Sequence, residues 1–177
     1  MLSIPKRKLR TFAAKSHQEH GLFFEAYLRM GLARACVLTL PFRWLSRNWG
    51  TPQYEEFRYS HAGASLQFLR QLNWAIRTAS KYTPWKSNCL AQAIAAKKIL
   101  RRRGYTSTLY LGMTTPSARE DGKIEAHAWL RCGDTWICGL RASRGFTVVA
   151  TYAELKEDLP MKKIASPDMG ETIAKLR

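Results

Sequence analysis

Between Pro84 and Gly104 the apolar positions gather on one side of a helix. Leu90, Ala93, Ile94 and Leu100 recur three and four apart, with the aliphatic stem of Lys97 on the same stripe. Ser87 or Asn88 supplies a capping side chain, and Gly104 stands where the helix must stop. Upstream, Leu22, Ala26, Met30, Ala33, Val37 and Leu40 predict an amphipathic helix over Gly21–Leu40, which Pro41 ends or kinks. Phe42 to Trp49 reads as a short helix closed by the turn Gly50-Thr51-Pro52, with Phe42, Trp44 and Trp49 expected in the core. Ala62, Leu66, Leu69, Leu72 and Ile76 predict a third helix between Glu55 and Ser80, broken by Tyr82-Thr83-Pro84.

Past Gly104 the period changes to two. Thr108–Thr114 alternates around Leu109, Leu111 and Met113, Thr115–Gly122 is a polar loop, and Ile124–Cys132 is a strand. Gly133-Asp134 reads as a hairpin turn, Thr135–Leu140 as its return strand, and Phe146–Thr151 as a further strand. Tyr152–Leu159 is expected to be a short helix. Helices first and strands afterwards mean an α+β fold, with the helix after Pro84 packed on an antiparallel sheet of about four strands. The expected organisation is a basic arm over residues 1–20, a helical part over 21–83, a core over 84–160 and a loosely packed tail over 161–177.

Composition narrows the function classes. At 177 residues and 46% hydrophobic, the chain can bury one core. Lys and Arg number 29 against 13 acids, a formal charge of +16, so anionic partners must be considered. The positives are scattered, the run Arg101–Arg103 ends a helix where cations are favoured, and no nucleic-acid motif is present, so nucleic-acid binding is not the expected main role. Residues 1–16 lack the apolar run of a signal peptide, and Arg29 and Arg34 interrupt the most apolar N-terminal stretch. A cytoplasmic protein without a membrane span is expected. Cys36, Cys89, Cys132 and Cys138 show no metal-ligand spacing and should be free thiols.

Of these thiols, Cys89 stands at the first turn of the best-marked helix. Unpaired backbone N–H groups and the positive end of the helix dipole favour a nucleophilic thiolate there, and the same N–H groups could hold an oxyanion. Read alone, it is more simply a small core residue, as free cysteines usually are. What alters that reading is His127, on the strand Glu125–Leu130 and far along the chain from the other histidines, His17, His20 and His61. A cysteine at a helix start and a distant histidine on a strand outline a Cys-His hydrolase. His61 is a rival base, expected on a solvated helix face.

Asn-Cys-Leu-Ala-Gln-Ala-Ile-Ala-Ala from Asn88, Leu-Arg-Arg-Arg-Gly from Leu100, Leu-Tyr-Leu-Gly-Met from Leu109 and Ala-His-Ala-Trp-Leu from Ala126 are similar to the transglutaminase-like leader peptidases of lasso-peptide biosynthesis. Leu-Pro-Phe-Arg-Trp-Leu around Pro41 resembles their N-terminal part, and the likeness covers roughly Leu22–Tyr152. It implies a papain- or transglutaminase-like fold and a cysteine peptidase that removes the leader of a ribosomal precursor, with Cys89 as nucleophile and His127 as general base and acid. A separate ATP-dependent macrolactam synthetase then closes the ring. It also implies a winged-helix module that grips the leader; helical periodicity through residues 1–83 leads us to expect that module as a separate partner protein. No metal or organic cofactor is implied.

Members of this family commonly carry an aspartate on the strand after the histidine. About twelve residues past His127 this chain has Gly139. With the turn at Gly133-Asp134, His127 should lie across from Leu140 on the face of Cys138 and Trp136, none of them a carboxylate. Asp134 is the acid that remains on the hairpin as third member, although a straight strand holds it far from the histidine. Otherwise a backbone carbonyl or a more distant side chain orients the ring, or the pair works as a dyad. Two other functions fit the residues: a transglutaminase-fold amidase or acyltransferase acting on another peptide, and a non-catalytic basic module that binds nucleic acid or peptide.

Overall fold

The computed structural model describes residues 15–56, 64–85, 88–114, 124–154 and 161–163. Helix α1 (His17–Thr39) starts at a capping box, in which Ser16 Oγ accepts the Glu19 N–H at 3.3 Å and the Glu19 carboxylate accepts the Ser16 N–H at 3.0 Å. One side of α1 buries Leu22, Phe23, Ala26, Met30 and Ala33. The opposite side exposes Phe24, Leu28, Leu32 and Leu38. The helix is thus apolar on two faces, and the core takes one of them.

After α2 (Phe42–Ser46) the chain forms two short strands, β1 (Thr51–Pro52) and β2 (Tyr54–Glu56). The aromatic residues here divide: Trp49 is buried edge-on against Tyr152, whereas Phe42 and Trp44, expected in the core, are exposed. Helix α3 spans Leu66–Tyr82, shorter at its start than the Glu55–Ser80 expected, because Tyr54–Glu56 pairs as a strand instead. Ala62 and His61 lie outside the described residues.

Helix α4 (Cys89–Arg102) is the predicted cysteine helix. Asn88 Oδ1 accepts the Ala91 N–H at 3.0 Å, which settles the choice of cap, and the chain turns out of the helix through Gly104. Four buried alanines, Ala91, Ala93, Ala95 and Ala96, let α4 lie close to its neighbours. Lys97 is 2% exposed, and its ammonium donates to Ser107 O at 2.7 Å and Glu154 Oε2 at 2.8 Å. This ties the middle of the helix to the strands beneath it.

The main sheet is antiparallel with five strands in the order β1-β6-β3-β4-β5, where β3 is Thr108–Met113, β4 Ala126–Cys132, β5 Thr135–Cys138 and β6 Thr147–Ala153. The α+β class holds, with β1 added to the four strands expected. Pro52 is tolerated because β1 is an edge strand. Helix α4 packs on β4 and β5, α3 packs on β5, and α1 lies across α3 and α4. Tyr152 and Ala153 continue β6 rather than opening a helix, and β7 (Met161–Lys163), at the start of the expected tail, pairs with β2 in a second sheet.

The β4–β5 hairpin turns at Gly133-Asp134 as expected, but a bulge between Leu130 and Arg131 shifts its register, so Cys138 faces Leu130 and β5 ends there. Leu140 therefore begins a 3-10 turn (Leu140–Ala142) instead of pairing with His127.

Strand β2 clamps this hairpin. Arg131, 1% exposed, bonds Glu55 Oε1, Glu56 O and Gly133 O at 2.6 Å each and Tyr110 Oη at 2.9 Å. Glu56, also 1% exposed, accepts the Gly133 N–H at 3.0 Å, and burial lifts its carboxyl to about 7 despite nearby Arg131. Between the ordinary 4.5 and about 7 the folded chain therefore holds a proton that the unfolded chain has released. This contribution is fully present below 4.5 and is lost as pH rises through about 7, by up to roughly 1.4 kcal/mol per pH unit. Glu56→Gln keeps an acceptor for Gly133 and removes the titration. Urea unfolding at pH 5.5 and pH 8 should show wild type losing stability relative to Glu56→Gln as pH rises; parallel changes in both proteins would contradict the assignment.

Candidate active site

As the first residue of α4, Cys89 has a backbone N–H without an intrahelical acceptor, and Gln92 stands one turn on. Both line an open cavity of about 470 Å³, and His127, from the start of β4, lines it too. The cysteine and histidine singled out in the sequence, 38 positions apart, thus share one cavity.

Three groups hold the imidazole. Its ring lies 5.8 Å from Trp129, nearly parallel, and 5.2 Å from Phe146. Gly112 pairs with His127 across the β3–β4 ladder, and a Cβ there would come within 2.5 Å of the Trp129 ring; glycine leaves room for the indole that supports the histidine. The third group is the Gly139 carbonyl, 2.8 Å from His127 Nε2. A carbonyl only accepts, so Nε2 carries the proton and Nδ1 is the basic nitrogen.

Gly139 occupies the position where an aspartate was expected. Its φ is +84°, and a Cβ would fall 2.4 Å from Ala128 O and 2.6 Å from Trp129 Cβ. No side chain fits, because the backbone itself comes close enough to do the orienting. Asp134 is exposed at the hairpin turn, while His127 lies five residues back from the other end of that turn, roughly 17 Å at the usual strand rise. The structure does not bring Asp134 to the site.

Cys138 also lines the cavity, as a buried strand residue. Burial pushes its thiol, like that of Cys132, up to about 12, which keeps both protonated near neutrality. Cys36 is half-buried on α1. Among the described residues no group of three or more His, Cys, Asp or Glu could hold a metal ion, and no helix is long and apolar enough to cross a membrane.

The periodicity of the sequence did not single out Asn73, Arg77 and Arg141, which also line the cavity. Asn73 and Arg77 are four apart on α3, a spacing that puts them on one side of a helix. Asn73 donates to Ile137 O at 2.7 Å, anchoring α3 to β5. Arg141 belongs to the 3-10 turn that follows Gly139.

No curated protein and no solved structure matches the chain. The family described as the transglutaminase-like superfamily matches residues 36–151, which include Cys89, His127 and Gly139. With more than half of its length matched, the chain belongs to the transglutaminase-like superfamily.

Proposed function

We propose that the protein is a cysteine peptidase that removes the leader from a ribosomally made lasso-peptide precursor before a separate synthetase closes the macrolactam. The observation that carries this reading is the shared cavity of Cys89 and His127, in a fold commonly used by cysteine peptidases and transglutaminases. The likeness of the Cys and His blocks to leader peptidases supplies the substrate.

The Cys89 thiol gives its proton to His127 Nδ1, and the thiolate attacks the scissile carbonyl. The N–H groups of the first α4 turn, that of Cys89 among them, receive the developing oxyanion. As the C–N bond breaks, the imidazolium returns its proton to the departing amine. Water, deprotonated by the same Nδ1, then releases the leader as a free acid. Gly139 O fixes the tautomer without contributing a charge, so the pair works as a dyad.

Leader recognition is assigned to a separate winged-helix protein. In support, the described part of residues 15–82 consists of three helices and two strands of two and three residues. Tethering by such a partner would raise the local concentration of the scissile bond to roughly the millimolar range. Mass spectrometry of the precursor incubated with this chain, with and without the partner and at low and high salt, tests the reading. Cleavage accelerated by the partner and weakened by salt is expected, the latter because the surface is strongly basic. An intact precursor in every arm would refute the proposed function, and equal rates without the partner would refute the dependence.

A further inference from the structure

The cavity is charged on one side of the scale. Arg77 from α3 and Arg141 from the 3-10 turn both line it, and among the described residues no aspartate or glutamate does. Both guanidinium groups are exposed, and neither makes an ion pair among the described residues. Other cations are already engaged, Lys97 with Glu154, Arg131 with Glu55, and Arg29 and Arg103 with Glu25; what sets Arg77 and Arg141 apart is their place in the cavity that holds Cys89 and His127. Two cations that line one cavity, with no ion pair among the described residues, attract an anion that enters it.

Resting on the reading of this cavity as a peptidase site, we propose that Arg77 and Arg141 form an anion subsite that selects a substrate carboxylate next to the scissile bond. A cavity of about 470 Å³ spans roughly 8 Å, about two residues of extended chain. The recognised Asp or Glu therefore lies within two positions of the cleaved bond. A planar guanidinium can take a carboxylate through two parallel N–H donors, which favours Asp and Glu over their amides.

The test uses synthetic hexapeptides with Asp, Asn or Lys at each of the two positions on either side of the scissile bond. The Asp peptide at one position should be turned over about tenfold faster than the Asn peptide at limiting concentration, mainly through KM, and the preference should shrink as salt rises. Arg77→Gln and Arg141→Gln should each narrow the gap between Asp and Asn, and Arg141→Glu should reverse the order of Asp and Lys. Binding of the same peptides to the Cys89→Ala protein, followed by fluorescence anisotropy, reads the charge preference without turnover. Tighter binding of Asp peptides with no cleavage of any would uphold the subsite while removing the peptidase reading. Equal binding and turnover of the three series, or a preference that survives in the Arg77→Gln/Arg141→Gln double variant, would overturn the subsite.

Discussion

Replacing Cys89 with alanine should lower precursor cleavage by on the order of ten-thousand-fold or more and leave the melting transition almost where it was. The chemical loss is total because the other cavity thiol, Cys138, is held protonated by burial and cannot take over. The structural loss is one sulfur atom from a half-buried position, about 1 kcal/mol or less. His127→Ala should be nearly as severe, since no second histidine among the described residues lines the cavity. In the same assay Asp134→Asn should stay close to wild type, far from the roughly ten-thousand-fold loss that follows neutralising a triad aspartate. Mass spectrometry of the precursor gives the rates and circular dichroism the melting curves. Turnover retained by Cys89→Ala would sink the cysteine-peptidase reading; a collapse in Asp134→Asn with unchanged melting would show that the turn does reach His127.

The largest expected effect on stability is at Arg131. Its guanidinium is enclosed by the side chains of Glu55, Tyr110 and Trp136 and by two backbone oxygens, that of Glu56 in β2 and that of Gly133 in the β4–β5 turn. Arg131→Met preserves much of the volume but strips the Gly133 and Glu56 carbonyls of their donor and leaves the Glu55 carboxylate with the Tyr110 hydroxyl but no cation, which should cost about 3–5 kcal/mol. That is a large part of the 5–15 kcal/mol that holds an ordinary domain folded. Removing the stranded charge as well, in Glu55→Gln/Arg131→Met, should recover part of the loss. Urea titration of the three variants decides it: a cost below about 1 kcal/mol for Arg131→Met would mean that the cluster is not holding β2 to the hairpin. The cluster also reaches the site. Tyr110 touches Arg131 and stacks 5.9 Å from Trp129, which in turn backs His127, so partial unfolding there should disturb the imidazole platform.

The contrast between α4 and β2 explains what could be read from the chain alone. Helix α4 announces itself locally through its apolar spacing, Asn88 and Gly104, and the strand bearing His127 alternates clearly. Strands β1, β2 and β7 have two or three residues each and exist only through partners about a hundred positions away, Thr51 with Ala153 and Tyr54 with Lys163. No local period can show such pairing, and Gly50-Thr51-Pro52 looks like a turn. The bulge at Leu130/Arg131 likewise has no residue signature, so a plain hairpin count put His127 opposite Leu140. Within the site, the two side chains with chemistry were legible because their residue types are informative. The group that orients His127 is a backbone oxygen, and every residue has one. The glycine did mark the place, by excluding a side chain where the carbonyl comes close.

The second apolar face of α1 affects how the protein behaves in a tube. Molecules carrying a formal +16 stay apart at low ionic strength. Added salt shortens that repulsion to about 8–10 Å near physiological strength and about 3 Å at 1 M, and it leaves the ridge of Phe24, Leu28, Leu32 and Leu38 free to meet its like. The protein should therefore be monodisperse in dilute buffer and self-associate on salting, the reverse of the behaviour of a charge-paired complex. Light scattering alongside any salt series would separate loss of partner docking from this colloidal effect.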